Sequence, residues 1–181
     1  GPDQKQTDLA IKVLQHLPKK VDFPLALAAF LAAVDTDSAM QLFKLLKPSN
    51  AHKKHLKFLL TNRNILLNAD ISLAKFKLLL AEPYFHDLYA YQWAIQKAQD
   101  KTTTPLAAIK KRALTLKGKQ LKPKPLLTGH DIIALGVRPG PMVGLAAEEM
   151  YIAQLSEQLH TAEDARKWVK WWLEKHEQLE Q

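Results

Sequence analysis

No cysteine occurs among the 181 residues. Disulfide frameworks and thiolate metal sites are thereby excluded, and the composition fits a reducing compartment, so a cytoplasmic location is expected. No apolar run reaches the ~18–20 residues a membrane-spanning helix needs; the longest stretch, Phe23 to Val34, is short and interrupted by Pro24. The N-terminus lacks a basic segment followed by an apolar one, so no secretory signal is read. Gly1-Pro2 has the form of a scar left by tag cleavage, and residues 1–4 are read as a tag remnant. Clean apolar–polar alternation between turn residues is missing as well, and no internal repeat is found.

What is present is apolar surface and one-sided charge. A 47% apolar content is enough for a folded core, and the length allows one large domain or two small ones. The formal net charge of +8 is unevenly spread: residues 44–125 alone carry 17 basic and 4 acidic side chains. Such a segment repels itself unless solvated or matched by a polyanion, and nucleic acid is the first candidate.

Almost every segment has a helical period, so the fold is expected to be all-α, an irregular array of about nine to ten helices. Thr7-Asp8 is placed as the cap of a first helix, Pro24 in the first turn of a second, and Asp35 to Ser38 as a break with several possible caps. After Pro48-Ser49-Asn50 a basic helix is expected to turn Leu56, Leu59 and Leu60 inward, with Lys53, Lys54, Lys57 and Arg63 outward. An amphipathic helix over 70–80, an aromatic one after Pro83 and a basic one from Pro105 follow. Residues 117–125 have neither periodicity nor an acid and read as an extended connection. The expected organisation is a helical body over 5–118, basic from residue 44, a linker over 119–126 and a helical tail over 127–181.

Residues 126–145 hold the most informative pattern. Thr128 is suited to cap a short helix, and Asp131 can reach back to its amide. Ile132, Ile133 and Leu135 would bury one face. Gly136 would end the helix in a left-handed conformation, with Val137 making the accompanying apolar contact. Pro139-Gly140-Pro141 would start the next helix, and Gly144 would permit a close neighbour. Outward-pointing amides at that second helix start would suit an RNA phosphate, with Arg138 beside them.

This segment resembles the C-terminal signature of the CCA-adding tRNA nucleotidyltransferases and bacterial poly(A) polymerases. Leu127, Thr128, Gly129, Asp131, Leu135, Gly136, Pro139, Gly140, Pro141 and Gly144 all fit that pattern. Looser likeness extends over about residues 23–172, through Phe23 to Leu27, Leu45 to Asn50, Ala81 to Phe85 with Leu88, and Thr161 to Trp168. The resemblance implies the RNA-holding body and tail of such an enzyme, which grip the tRNA acceptor stem and elbow while a separate catalytic head adds nucleotides. The glycine-rich turn and paired aspartates of that head are not found here. No catalytic residue, metal ligand or cofactor is therefore assigned to this chain. Mg²⁺ with CTP and ATP is expected only in a head domain, itself a partner.

The expected RNA contacts are Lys44, Lys47, Lys53, Lys54, Lys57 and Arg63; Lys110, Lys111, Arg112, Lys117, Lys119, Lys122 and Lys124; and His130, Arg138 and Gly140. Asp35-Thr36-Asp37 has the spacing of a metal-binding pair but no glycine-rich turn or strand, and is read as a helix cap. Glu163 to Arg166 is read as a helix start. His86-Asp87 and His130-Asp131 lack further ligands in a recognisable arrangement, and His52 and His55 are read as basic surface. None of Ser38, Ser49 and Ser72 sits in a nucleophile elbow. Trp168, Trp171 and Trp172 are expected to pack, with Tyr89 and Tyr91 the aromatics available to the surface. Two other functions compete: the RNA-gripping region of a poly(A) polymerase, and a helical protein-interaction module with no RNA role.

Overall fold

A computed structural model describes residues 4–179. Residues 1–3 of the expected tag remnant lie outside the described residues, and Gln4, its last member, opens the first helix. The described residues form ten α-helices and one 3-10 turn, with no strand. The helices are α1 Gln4–His16, α2 Phe23–Phe30, α3 Thr36–Leu45, α4 Asn50–Thr61, α5 Leu73–Ala81, α6 Phe85–Ala98, α7 Thr104–Thr115, α8 Gly129–Ala134, α9 Pro141–Leu155 and α10 Ala162–Leu179. The 3-10 turn Ile65–Leu67 follows α4. Thr7 and Asp8 lie inside α1 and do not cap it; Gln4 Nε2 instead donates to Asp8 Oδ1 at 3.0 Å.

The chain divides into two compact units, one of residues 1–71 and 82–117 and the other of 72–81 and 118–181. This corrects the expected organisation at two points. Helix α5, assigned to the body from its position in sequence, belongs to the second unit because it packs on α9. The expected linker also belongs there. Tyr151 donates to the Pro123 carbonyl at 2.8 Å and Gln154 to that of Lys124 at 2.9 Å, which holds the extended segment along α9.

In the first unit α1 packs on α2 and α6, α2 on α4 and α6, and α3 on α4. Val13, Leu25, Phe43, Leu56, Leu59, Leu60 and Leu88 are buried there. The turn after α4 is held by a buried amide: Gln92 Oε1 accepts from the Leu66 amide at 3.1 Å, and its Nε2 donates to the Asn62 carbonyl at 2.8 Å. One side chain therefore replaces the helical hydrogen bonds lost where α4 ends.

In the second unit α9 packs on α5, α8 and α10 around Leu127, Ile132, Val137, Met150, Val169 and Trp172. The buried Lys77 of α5 donates through Nζ to the Leu155 carbonyl and to Glu157 Oε1, each at 2.9 Å. A cation at the last carbonyl of α9 faces the negative end of that helix, and the carboxylate compensates its charge. The Glu157 carboxyl is held below its usual range chiefly by this lysine, with Lys119 adding to the effect.

Candidate nucleic-acid interface

Ser49 caps α4 by accepting from the His52 amide at 3.2 Å, and His55, Leu56, Leu59 and Leu60 are buried along one face. That register leaves Lys53, Lys54 and Lys57 exposed, with Lys53 and Lys57 one turn apart. Lys44 in the last turn of α3 and Lys47, at φ 48°, are exposed just before it. No acidic residue occurs between Asp37 and Asp70, and none of these five lysines forms an ion pair among the described residues. Lys110, Lys111 and Lys117 of the same unit are exposed too.

Two arginines expected among these contacts are used otherwise. Arg63 turns inward: its Nη1 donates to the carbonyls of Ala32 at 3.0 Å and Val34 at 2.9 Å, and its Nε to that of Leu60 at 3.4 Å. These carbonyls lie past the end of α2 and in the last turn of α4, where helical partners run out. Arg112 is half-buried, and its Nη1 donates to the Ile71 carbonyl at 2.8 Å. Both guanidiniums hold the fold of the first unit.

In the second unit Lys119, Lys122, Lys124, His130, Arg138 and Gly140 are exposed. Lys119 lies 3.8 Å from a Glu157 oxygen. The glycine–proline segment folds largely as its residues dictate. Thr128 Oγ1 accepts from the Asp131 amide at 3.3 Å, and Asp131 Oδ2 accepts from the Thr128 amide at 2.7 Å, a complete capping box. The Thr128 hydroxyl, which donates to Asp131 Oδ2 at 2.6 Å, and after it the Thr128 amide hold the Asp131 carboxyl below its usual range. Gly136, at φ 106°, ends α8, and Val137 is buried behind it. Gly140, at φ 124°, precedes Pro141 in the first turn of α9, and no side chain caps that helix.

Two expectations for this segment fail. Gly144 is exposed, and a β-carbon built on it meets nothing within 4 Å, so it serves no close helix approach. Ile133, placed on the buried face of α8, is 38% exposed because the short helix packs through Ile132 and, in part, Leu135. Leu127 is buried in the same core, whereas Pro139 and Pro141 are exposed and shape the turn.

No protein-family model matches the chain, and no curated protein or solved structure matches it significantly. Its chemistry is therefore argued from its own residues.

Asp35 caps α3, accepting from the Ser38 amide at 2.9 Å, and this bond holds its carboxyl below the usual range. At the start of α10 Thr161 Oγ1 accepts from the Asp164 amide at 3.1 Å and Asp164 Oδ2 from the Thr161 amide at 2.9 Å, a reciprocal pair like that of Thr128 and Asp131. Trp172 is buried, with Nε1 donating to Glu149 Oε2 at 2.7 Å, and Trp168 is half-buried. Trp171 departs from the expected packing face: it is 49% exposed, with Lys175 Nζ 4.6 Å from its ring centre. Tyr91 is likewise no surface contact. It is fully buried, and burial pushes its hydroxyl up to about 12.

One constellation was missed in the sequence. His55, expected on the basic surface, is only 6% exposed and stacks on Tyr84 with ring centres 4.1 Å apart. Its Nε2 lies 2.9 Å from Oδ2 of Asp87, and Asp22 completes a group whose ligand-capable atoms lie within 4.8 Å of one another. Burial pushes the imidazole below its ordinary value despite the opposing pull of Asp87. The three residues come from the start of α2, the middle of α4 and the first turn of α6. Their spacing along the chain carries no signal. Asp22 and Asp87 open onto a groove of about 500 Å³ that Lys20, His86 and Tyr89 also line.

Proposed function

We propose that this chain binds structured RNA, as the tRNA-holding C-terminal region of a CCA-adding nucleotidyltransferase whose catalytic head lies outside these residues. The carrying observation is the α3–α4 corner, where Lys44, Lys47, Lys53, Lys54 and Lys57 are exposed and unpaired among the described residues. Lysines used only for solubility are normally interspersed with carboxylates, and here a stretch of more than thirty residues has none. The resemblance of residues 126–145 to the family signature supports the tRNA assignment. Folded RNA is recognised largely through phosphates, 2′-hydroxyls and shape, which such a surface suits.

The test is RNA affinity as a function of salt. If about five phosphates are neutralised, log K against log salt should fall with a slope of roughly −3 to −5. Replacing Lys53, Lys54 and Lys57 together by Gln should reduce that slope by about 2–3, at roughly 0.7–0.9 per phosphate contact. A flat salt response, or a triple variant indistinguishable from the parent, would sink the RNA reading. Intact tRNA bound in preference to an unstructured oligomer would support the CCA-adding assignment; equal binding would point to a poly(A) polymerase.

A further inference from the structure

We propose that Asp22, His55 and Asp87 form a binding site for a divalent transition-metal ion of the zinc type. Three elements of the first unit bring one imidazole nitrogen and two carboxylates together, with their ligand-capable atoms within 4.8 Å of one another. His55 is 94% buried, and its Nε2, enclosed beside Asp87, makes no hydrogen bond of good geometry. A buried imidazole beside two carboxylates, its Nε2 2.9 Å from one of them yet without a well-formed hydrogen bond, is the feature a metal ion would resolve.

The local architecture fits this use. Asp22 occupies the N-cap position of α2, yet its carboxylate caps no amide of that helix. It is exposed and able to swing, and a tetrahedral zinc site would need its donor atoms about 3.4 Å apart, given metal–ligand distances near 2.0–2.2 Å. Tyr84, stacked on the imidazole, fixes the plane of the least mobile ligand. Two carboxylates balance the charge of a 2+ ion. A nitrogen donor disfavours Mg²⁺ and Ca²⁺, which prefer oxygen alone. Three protein ligands leave a fourth position open to the groove beside Lys20, His86 and Tyr89.

The experiment titrates the chelator-treated full chain with Zn²⁺, followed by calorimetry and thermal melting, with Co²⁺ used as a spectroscopic probe. The expected result is one ion bound per chain, a raised Tm and visible Co²⁺ absorption of a low-coordinate N,O site. Asp22→Asn, a change at an exposed side chain, should weaken Zn²⁺ binding by on the order of 10–100-fold or more, since losing even an outer-shell partner costs that much. Its Tm without metal should stay that of the parent. Asp87→Asn should behave the same way toward the metal. Absence of stoichiometric Zn²⁺ binding would overturn the proposal, and so would equal binding by both variants, which would reveal only scattered surface histidines. Equal stabilisation by Mg²⁺ at the same concentration would also overturn it.

Discussion

Replacing Arg63 by Met separates folding from RNA contact at a position where sequence patterning favours the latter. The guanidinium makes two well-formed hydrogen bonds, to Ala32 and Val34, and a longer one to Leu60. Hydrogen bonds from a charged donor contribute about 1.5–3 kcal/mol each, and removing the donor leaves the carbonyls short of a partner. Two effects reduce the loss: Arg63 is only partly buried, so water can reach part of the site, and its Nη2 is enclosed with no partner of its own. A net destabilisation of about 2–4 kcal/mol follows, equivalent to a fall of roughly 1–2 M in the urea midpoint for typical slopes. Arg63→Lys should recover only part of this, because one ammonium cannot reproduce the planar fork. Urea unfolding followed by circular dichroism gives the stability, and RNA affinity at several salt concentrations, measured where each variant is folded, gives the slope. Arg63→Met should lower the first and leave the second unchanged. A variant of unaltered stability but shallower salt dependence would refute the reasoning, since it would make Arg63 a phosphate contact.

The two glycines of the α8–α9 hairpin should respond oppositely to alanine. Gly136→Ala should cost about 1–2 kcal/mol, because a left-handed backbone is unfavourable for a residue with a β-carbon, and Leu173 Cδ2 would lie 3.4 Å from that carbon. Gly144→Ala, inside α9 with open space around it, should stabilise by about 0.5–1 kcal/mol; thermal melting of both variants checks the pair. Acid should weaken the capped helix starts. The carboxyls of Asp35, Asp131 and Asp164 are held low mainly by hydrogen bonds from their capping partners. Their contribution is complete above the unfolded carboxylate value near 4 and disappears as pH falls through the lower folded values. The urea midpoint should therefore drop below about pH 4, less steeply in Asp131→Asn; parallel curves for parent and variant would remove Asp131 from the account.

Local chemistry was readable from the chain alone. Helix periodicity, the Thr128–Asp131 box, a cap within Asp35 to Ser38, the helix start near Glu163 and the left-handed Gly136 all depend on neighbours within four residues, so their spacing encodes them. The exposed lysines of α4 follow from the same register. Everything set by distant partners was decided by tertiary packing. Arg63 reaches carbonyls about thirty residues away, Lys77 caps a helix 78 residues further on, and α5 leaves its sequence neighbours for the second unit. A cationic side chain has the same formal charge whether it meets solvent, phosphate or a buried carbonyl, so pattern alone cannot assign its partner. The Asp22–His55–Asp87 group arises only where three helices cross, and no run of sequence contains it.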